Sequence, residues 1–214
     1  MNTVLFRDFE ERDIDFIYYC KNDEKLNSMI VGEWHPFTYE EATRWVHGCM
    51  GNHETYKFWA IATNNEEKQI IGWISLSEID RINRSACFHG IVIADKNYRD
   101  GFAWIESYLF IMNFAFEQLE LNRLYGSSIV GHEISNNAHD IFLWTKEGVL
   151  RQAIVKKERF YNLQISSILR EEYFAFLCAG EYSIKSILKR IKTLRSCLKM
   201  NQKVFYVDQK KIHK

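Results

Sequence analysis

The chain has 214 residues, 47% hydrophobic and 26% charged, with 28 basic against 28 acidic side chains. That is the length of one domain with enough apolar content for a buried core, which excludes a fibrous or wholly disordered chain. The start, MNTVLFRDFEERDIDF, turns acidic where a secretory signal would be apolar, and the longest apolar stretch (residues 108–116) is too short for a bilayer, so a cytoplasmic location is expected.

The five cysteines, Cys20, Cys49, Cys87, Cys178 and Cys197, form no Cys-x-x-Cys pair. They read as reduced thiols, neither a disulfide frame nor a zinc site, and no metal is expected. The zero net charge hides an asymmetry. Residues 180–214 carry ten Lys or Arg against Glu181 and Asp208, a net of +8, which leaves −8 on the rest.

In chain order, TVLFRDF alternates like an edge strand, and Glu10-Glu11-Arg12-Asp13 precedes a helix through Ile14, Phe16, Ile17 and Tyr18. Thr38-Tyr39-Glu40-Glu41 reads as an N-cap with early acids, opening a helix through Ala42, Trp45 and Val46. Residues 57–63 and 69–77 are strands joined by the turn Asn64-Asn65-Glu66-Glu67, a hairpin. Residues 85–93, SACFHGIVI, suit a central strand; 94–101 form a loop, and 102–119 a helix apolar nearly all round. A strand at 124–130, a short helix at 138–146 and a strand from 164 follow. Pro36 is the one proline, and there are no repeats. The predicted organisation is a domain over residues 1–175 and a basic helical extension over 176–214.

The informative unit is the strand ending at Ile93, the loop carrying Gly101 and the helix starting near Phe102. The first N–H groups of a helix lack internal partners, the helix dipole adds positive potential, and glycine lets backbone approach an anion, so this unit suits a phosphate. A glycine before a helix is also an ordinary turn, and these residues alone leave both readings open.

Longer segments carry a resemblance. IIGWISLSEIDRINRSACF resembles "IGYISL…INRSAEF", and FAFEQLELNRLY resembles "AFEELGLNRLY", both segments of the acetyl-CoA-dependent N-acetyltransferase (GNAT) superfamily in its ribosomal-protein-alanine, polyamine and amino-sugar-nucleotide branch. KEGVLRQ at 146–152 and SSILREEY at 166–173 resemble the end of that branch, so the likeness runs from about Val4 to Tyr173. It implies a mixed α/β (α+β) GNAT fold: a mostly antiparallel central sheet with a β–loop–α–β unit for acetyl-CoA and no metal. The implied reaction moves an acetyl group from acetyl-CoA to a primary amine. The alternatives are a catalytically silent member acting as a scaffold, and acceptors other than the one preferred below.

The resemblance places coenzyme contacts on Ile91, Val92 and Ile93, on the loop Tyr98-Arg99-Asp100-Gly101-Phe102-Ala103, and on Asn137. The family loop has the form Gln/Arg-x-x-Gly-x-Gly/Ala; Gly101 and Ala103 match it, Tyr98 does not, and Asp100 puts a carboxylate beside a pyrophosphate. Where the branch has "SAEFGI" this chain has Ser85-Ala86-Cys87-Phe88-His89-Gly90-Ile91. The usual Glu is Cys87, and His89 reads as a one-residue insertion, hence a β-bulge facing the reaction.

His89 is the first candidate for the general base; its plain reading is a histidine packed at a bulge. Glu133, with His132, is the second candidate, against a surface-loop reading. Trp144 falls at the place of the family's acidic tyrosine and indole donates no proton usefully, which leaves Tyr98, Tyr125 or solvent for that role. Trp34, His35 and Phe37, in the loop between the first two helices, are expected to wall the acceptor pocket. An aromatic wall suits a nucleotide-linked amino sugar, placed ahead of a polyamine or a protein N-terminus. Residues 183–198 form a basic amphipathic helix, expected on its own domain, on a partner or on a membrane surface rather than on nucleic acid. The last eleven residues are expected to add a strand or fray. The oligomeric expectation is a monomer or homodimer.

Overall fold

The computed structural model describes residues 3–28, 30–31, 34–51 and 53–197. The elements run β1 (Val4–Arg7), α1 (Ile14–Lys21), α2 (Glu24–Asn27), α3 (Tyr39–Cys49), β2 (Lys57–Thr63), β3 (Ile70–Asp80), β4 (Ser85–Ile93) and α4 (Phe102–Asn113), which continues into a π-helical turn at Phe114–Gln118. Then come β5 (Arg123–Ile129), α5 (Glu133–Ile141), β6 (Thr145–Lys156), β7 (Arg159–Leu169), α6 (Arg170–Cys178) and α7 (Ile184–Cys197).

The strands form one sheet in the order β1-β2-β3-β4-β5-β7-β6. Every neighbouring pair is antiparallel except β4 and β5. A parallel pair needs a crossover, which α4 supplies. β4 sits fourth of seven; Ala86, Cys87 and Phe88 in its first half are buried, while Ile91, Val92 and Ile93 in its second half are half-buried.

Strand alternation sends residues to two cores. Ala60, Ile70 and Trp73 pack against Ile17 of α1 and Val46 of α3. Ile61, Ile71, Ile74 and Leu76 pack on the other face with Ile105 and Ile111 of α4 and Phe142 beyond α5. Ile17, Ile61, Ile74, Ile105 and Ile111 are fully buried, each contributing about 1.5–3 kcal/mol by area. Helix α3 starts on a capping box: Glu41 N–H donates to Thr38 Oγ1 at 3.2 Å, and Thr38 N–H to Glu41 Oε2 at 2.7 Å.

Two bulges interrupt the β3–β4 ladder. Pairing steps from Ile74↔Ile91 to Leu76↔Phe88, so His89 and Gly90 together face Ser75, with Gly90 at φ +93°. The insertion expected at His89 is therefore a bulge. A second step, from Ser77↔Cys87 to Asp80↔Ser85, puts Glu78 and Ile79 opposite Ala86, with Glu78 at φ +50°.

Three sequence expectations are corrected. The returning strand runs to Asp80 rather than Ser77, because the Glu78 bulge lets pairing resume beyond it. The helix expected at 138–146 is α5, and it ends at Ile141; Trp144 N–H donates to His139 O at 2.8 Å and the chain turns into β6. β6 itself was not anticipated, and its partner β7 starts at Arg159 rather than 164.

Helix α7 buries Ile187 and Ile191 in the core shared with α4 and α5. Arg190 donates to Ile141 O at 2.6 Å, Glu181 O at 2.6 Å and Glu181 Oε2 at 2.5 Å. The basic helix thus packs on its own domain, and position 175 lies inside α6. The final eleven residues lie outside the described residues. No described helix is long and apolar enough to cross a membrane.

Candidate active site

β4 and β5 pair only over Ser85–Cys87 and Arg123–Tyr125. Beyond Cys87, β4 continues to Ile93 along β3, while β5 runs to Ile129 along β7. The strands separate, and the β5-facing backbone of β4 is left without a strand partner. Ile91, Val92 and Ile93, half-buried, line this side. Gly126 is the first β5 residue past the paired segment. A Cβ there would lie 3.0 Å from Phe88 O, 3.7 Å from Trp144 and 3.8 Å from Nε2 of His139, so glycine keeps this gap open.

At the far end of β4, Tyr98 closes a short 3-10 turn and packs against the core. Arg99 folds back to cap the strand, donating to Ile93 O and Ala94 O at 2.9 Å each. Gly101 is the N-cap of α4 at φ +100°, a conformation that L side chains resist. The Asp100 carboxylate accepts from Phe102 N–H at 3.0 Å, satisfying one of the free donors of the helix. Phe102 and Ala103 are buried beneath it. The sequence marks Asp100 as a repulsive charge; the structure adds that it caps the helix.

The reactive side chains gather on the α1–α3 face of the separation. Ligand atoms of Glu78, Cys87 and His89 lie within 4.8 Å of one another. Tyr125, the cross-strand partner of Cys87, donates from its hydroxyl to Glu78 Oε2 at 2.6 Å. Ser77 Oγ and Nε2 of His89 form a short hydrogen bond. Burial, then the neighbouring Glu78, pushes the Cys87 thiol up to about 11. Burial and the hydrogen bond to Glu78 raise the Tyr125 phenol. A second polar pair lies on the α5 side. His139 and Trp144 stack at 4.9 Å, and their buried Nδ1 and Nε1 atoms have no hydrogen-bond partner among the described residues. Burial pulls His139 down to about 4.

The structure therefore brings His89 and Tyr125 together and adds Glu78, which the sequence reading missed. Its signal was the break in alternation after Ser75 and Ser77, just before the turn at 81–84. Glu133 opens α5 past the far end of β5; Ile129 alone is four strand residues beyond Tyr125, about 13 Å. Asn137 is buried on α5. Trp34 donates its indole N–H to Lys21 O at 2.8 Å, and Phe37 is bracketed by Asn22, which donates to Phe37 O and accepts from Phe37 N–H. The Lys21 ammonium sits over Trp45, Trp73 and Phe37, at 4.4, 5.3 and 5.6 Å. Of the expected aromatic wall, His35 is exposed, stacked on Phe37.

The chain matches the family model described as "Acetyltransferase (GNAT) domain" over residues 3–139. Among solved structures it is similar to the spermidine N-acetyltransferase of Vibrio cholerae in complex with CoA and spermine, at 22% identity and a TM-score of 0.70, covering 80% of this chain and 98% of that one. A GNAT-family acetyltransferase of Bacillus anthracis matches at 20% identity and 0.68, over 80% and 97% of the two chains. A GCN5-related N-acetyltransferase of Brucella melitensis matches at 19% and 0.70, over 86% and 85%. No curated protein sequence matches the chain. These identities show a shared fold; the family match shows membership.

This chain belongs to the GNAT acetyltransferase family. Its activity is accordingly that of an acetyl-CoA-dependent N-acetyltransferase. The residues fit that coenzyme: the separated strands offer unpaired backbone amides, Gly126 keeps the gap clear, and Gly101 opens the N-terminus of α4, with Asp100 as the discordant charge.

Proposed function

We propose that this chain acetylates a cationic aliphatic primary amine of the polyamine class, bound on the α1–α3 face at the separation of β4 and β5. The observation that carries the reading is the exposed Glu78 carboxylate, held by Tyr125 beside His89. An ammonium group is attracted to that carboxylate, and the amine must lose a proton before it attacks. Glu78 orients the ammonium, and Glu78 or His89 takes the proton. The coenzyme supplies the thioester carbon. Backbone N–H groups of residues 91–93 are placed to stabilise the oxyanion, as the family resemblance implies. Tyr125 keeps its phenolic proton, available as the acid.

A nucleotide-linked amino sugar finds less support. The Trp34 indole N–H is held by Lys21 O, and the Phe37 ring already meets His35 and the Lys21 ammonium. Arg123, the nearby cation, is paired with Glu147 at 2.5 Å through both nitrogens, so no free charge meets a diphosphate there. The spermidine enzyme of similar fold agrees with an amine of the polyamine class. The experiment is an acceptor screen by thiol release, comparing diamines and polyamines with nucleotide-linked amino sugars, on wild type and Glu78→Gln. Polyamine turnover falling about 100-fold in the variant, with acetyl-CoA affinity unchanged, is expected. Preferential turnover of the sugar nucleotide, indifferent to Glu78, overturns the reading.

A further inference from the structure

We infer that Glu78, Cys87 and His89 form a binding site for a borderline-soft divalent cation such as zinc, on the amine side of the active site. The donor set is one thiol, one imidazole and one carboxylate, the mixture that zinc and cobalt(II) accept and that magnesium and calcium do not. In its bound form the set carries two negative charges, which a divalent ion neutralises; the Cys87 proton leaves to solvent as the metal–sulfur bond forms.

The geometry is within reach. The three ligand atoms span at most 4.8 Å. Ligand atoms around a tetrahedral zinc are about 3.3–3.8 Å apart, given bonds of about 2.0–2.3 Å. Closing that difference needs side-chain rotation of about 1 Å, and Glu78 and His89 are exposed and able to turn.

The backbone delivers the ligands. Cys87 comes from a regular part of β4, His89 from the bulge beside Gly90, and Glu78 from the bulge on β3. Cys87 and His89, two residues apart, share a face by alternation, and the extra residue in β3 brings Glu78, which would otherwise point to the opposite side, onto that face as well. Outer partners orient them, as metal ligands require: Tyr125 donates to Glu78, and Ser77 bonds the His89 ring. Three protein ligands leave a fourth position open, where water or a neutral amine nitrogen is a fitting donor.

A bound ion would occupy the two groups assigned above to the amine. It should then inhibit competitively against the amine and leave acetyl-CoA binding intact; this consequence, unlike the site itself, rests on the proposed function.

The test is titration of the full chain with cobalt(II), followed by thiolate-to-metal charge-transfer absorption, and with zinc by calorimetry. One ion per chain is expected, with a charge-transfer band that Cys87→Ser removes and a zinc affinity that Glu78→Gln weakens about 10-fold or more. Glu78 lies on an exposed bulge, so that variant stays informative even if Cys87→Ser fails to fold. A band that survives Cys87→Ser, or a zinc affinity indifferent to Glu78→Gln, overturns the site. Zinc that binds as described without competing against the amine leaves the site standing and removes the acceptor groove from this face.

Discussion

The hydroxyl of Tyr125 on β5 donates a 2.6 Å hydrogen bond to Oε2 of Glu78 on β3, spanning the intervening strand at Cys87. The contact exists because the bulge at Glu78 turns a carboxylate toward a strand that β3 does not pair with. It ties the Glu78 carboxylate to the lip of the strand separation.

Tyr125→Phe removes this charge-assisted bond, which is worth about 1.5–3 kcal/mol. Turnover at saturating amine should fall about 10- to 100-fold while acetyl-CoA affinity stays the same. A residue that only supports the fold would lower the melting temperature and leave the turnover number intact. Steady-state kinetics beside thermal unfolding separate the two outcomes.

Asp100 holds the Phe102 N–H at the position where a pyrophosphate would meet α4. Asparagine keeps an oxygen to accept that bond and drops the charge. Asp100→Asn should therefore tighten acetyl-CoA about fivefold, close to 1 kcal/mol, with the gain shrinking as salt rises. Calorimetry at two ionic strengths measures it. An unchanged affinity would place the pyrophosphate away from Gly101.

Legibility in the sequence followed burial. β2, β3 and β4 have apolar periodicity because they are largely buried, and the likeness over the nineteen residues 70–88 located their order. β6 was invisible because nearly every residue from Thr145 to Val155 is exposed, so TKEGVLRQAIVK shows no alternation for a core to impose. The helix at 133–141 was placed five residues late because Phe142 and Trp144 extend its apolar pattern, although they belong to the turn that buries against Tyr108. His89 was readable as an insertion within one strand. Glu78 left a local mark in the broken alternation after Ser77, but its partnership with Tyr125 depends on strand order, which leaves none. The aromatic loop is anchored in a way the sequence did not show: the Trp34 indole N–H donates to Lys21 O, and Asn22 bonds the Phe37 backbone.

Arg190 fastens α7 to the end of α5 through three hydrogen bonds to Ile141 and Glu181, and its side chain is 19% exposed. Arg190→Ala leaves the Ile141 carbonyl without that donor, so a loss of about 1–3 kcal/mol is expected. Hydrogen exchange should show the loss concentrated in α7 and α5, with the β2–β4 hairpins unaffected. Uniform loss of protection would mean that α7 unfolds only with the whole domain.

His139 makes stability depend on pH in a window of its own. Its ring is stacked on Trp144, its buried Nδ1 has no partner among the described residues, and burial lowers its pKa from 6.5 to about 4. The native state therefore resists protonation. Between pH 6.5 and 4 the unfolded chain binds the extra proton, so stability rises with pH across that interval and is lost as pH falls through it. The two values correspond to about 3 kcal/mol at the acid end. Glu147 acts in a lower window: Arg123 and Ser167 hold it down to about 2, so its contribution fades only from pH 4.5 downward. Denaturant titrations at pH 7, 5.5 and 4.5 should show wild type losing stability at each step. His139→Phe keeps the stacking face and removes the titrating nitrogen, so its curve should be nearly flat over the same range. If it falls in parallel with wild type, another buried base sets the acid limit, and His132, itself lowered by burial and by Lys156, becomes the residue to replace.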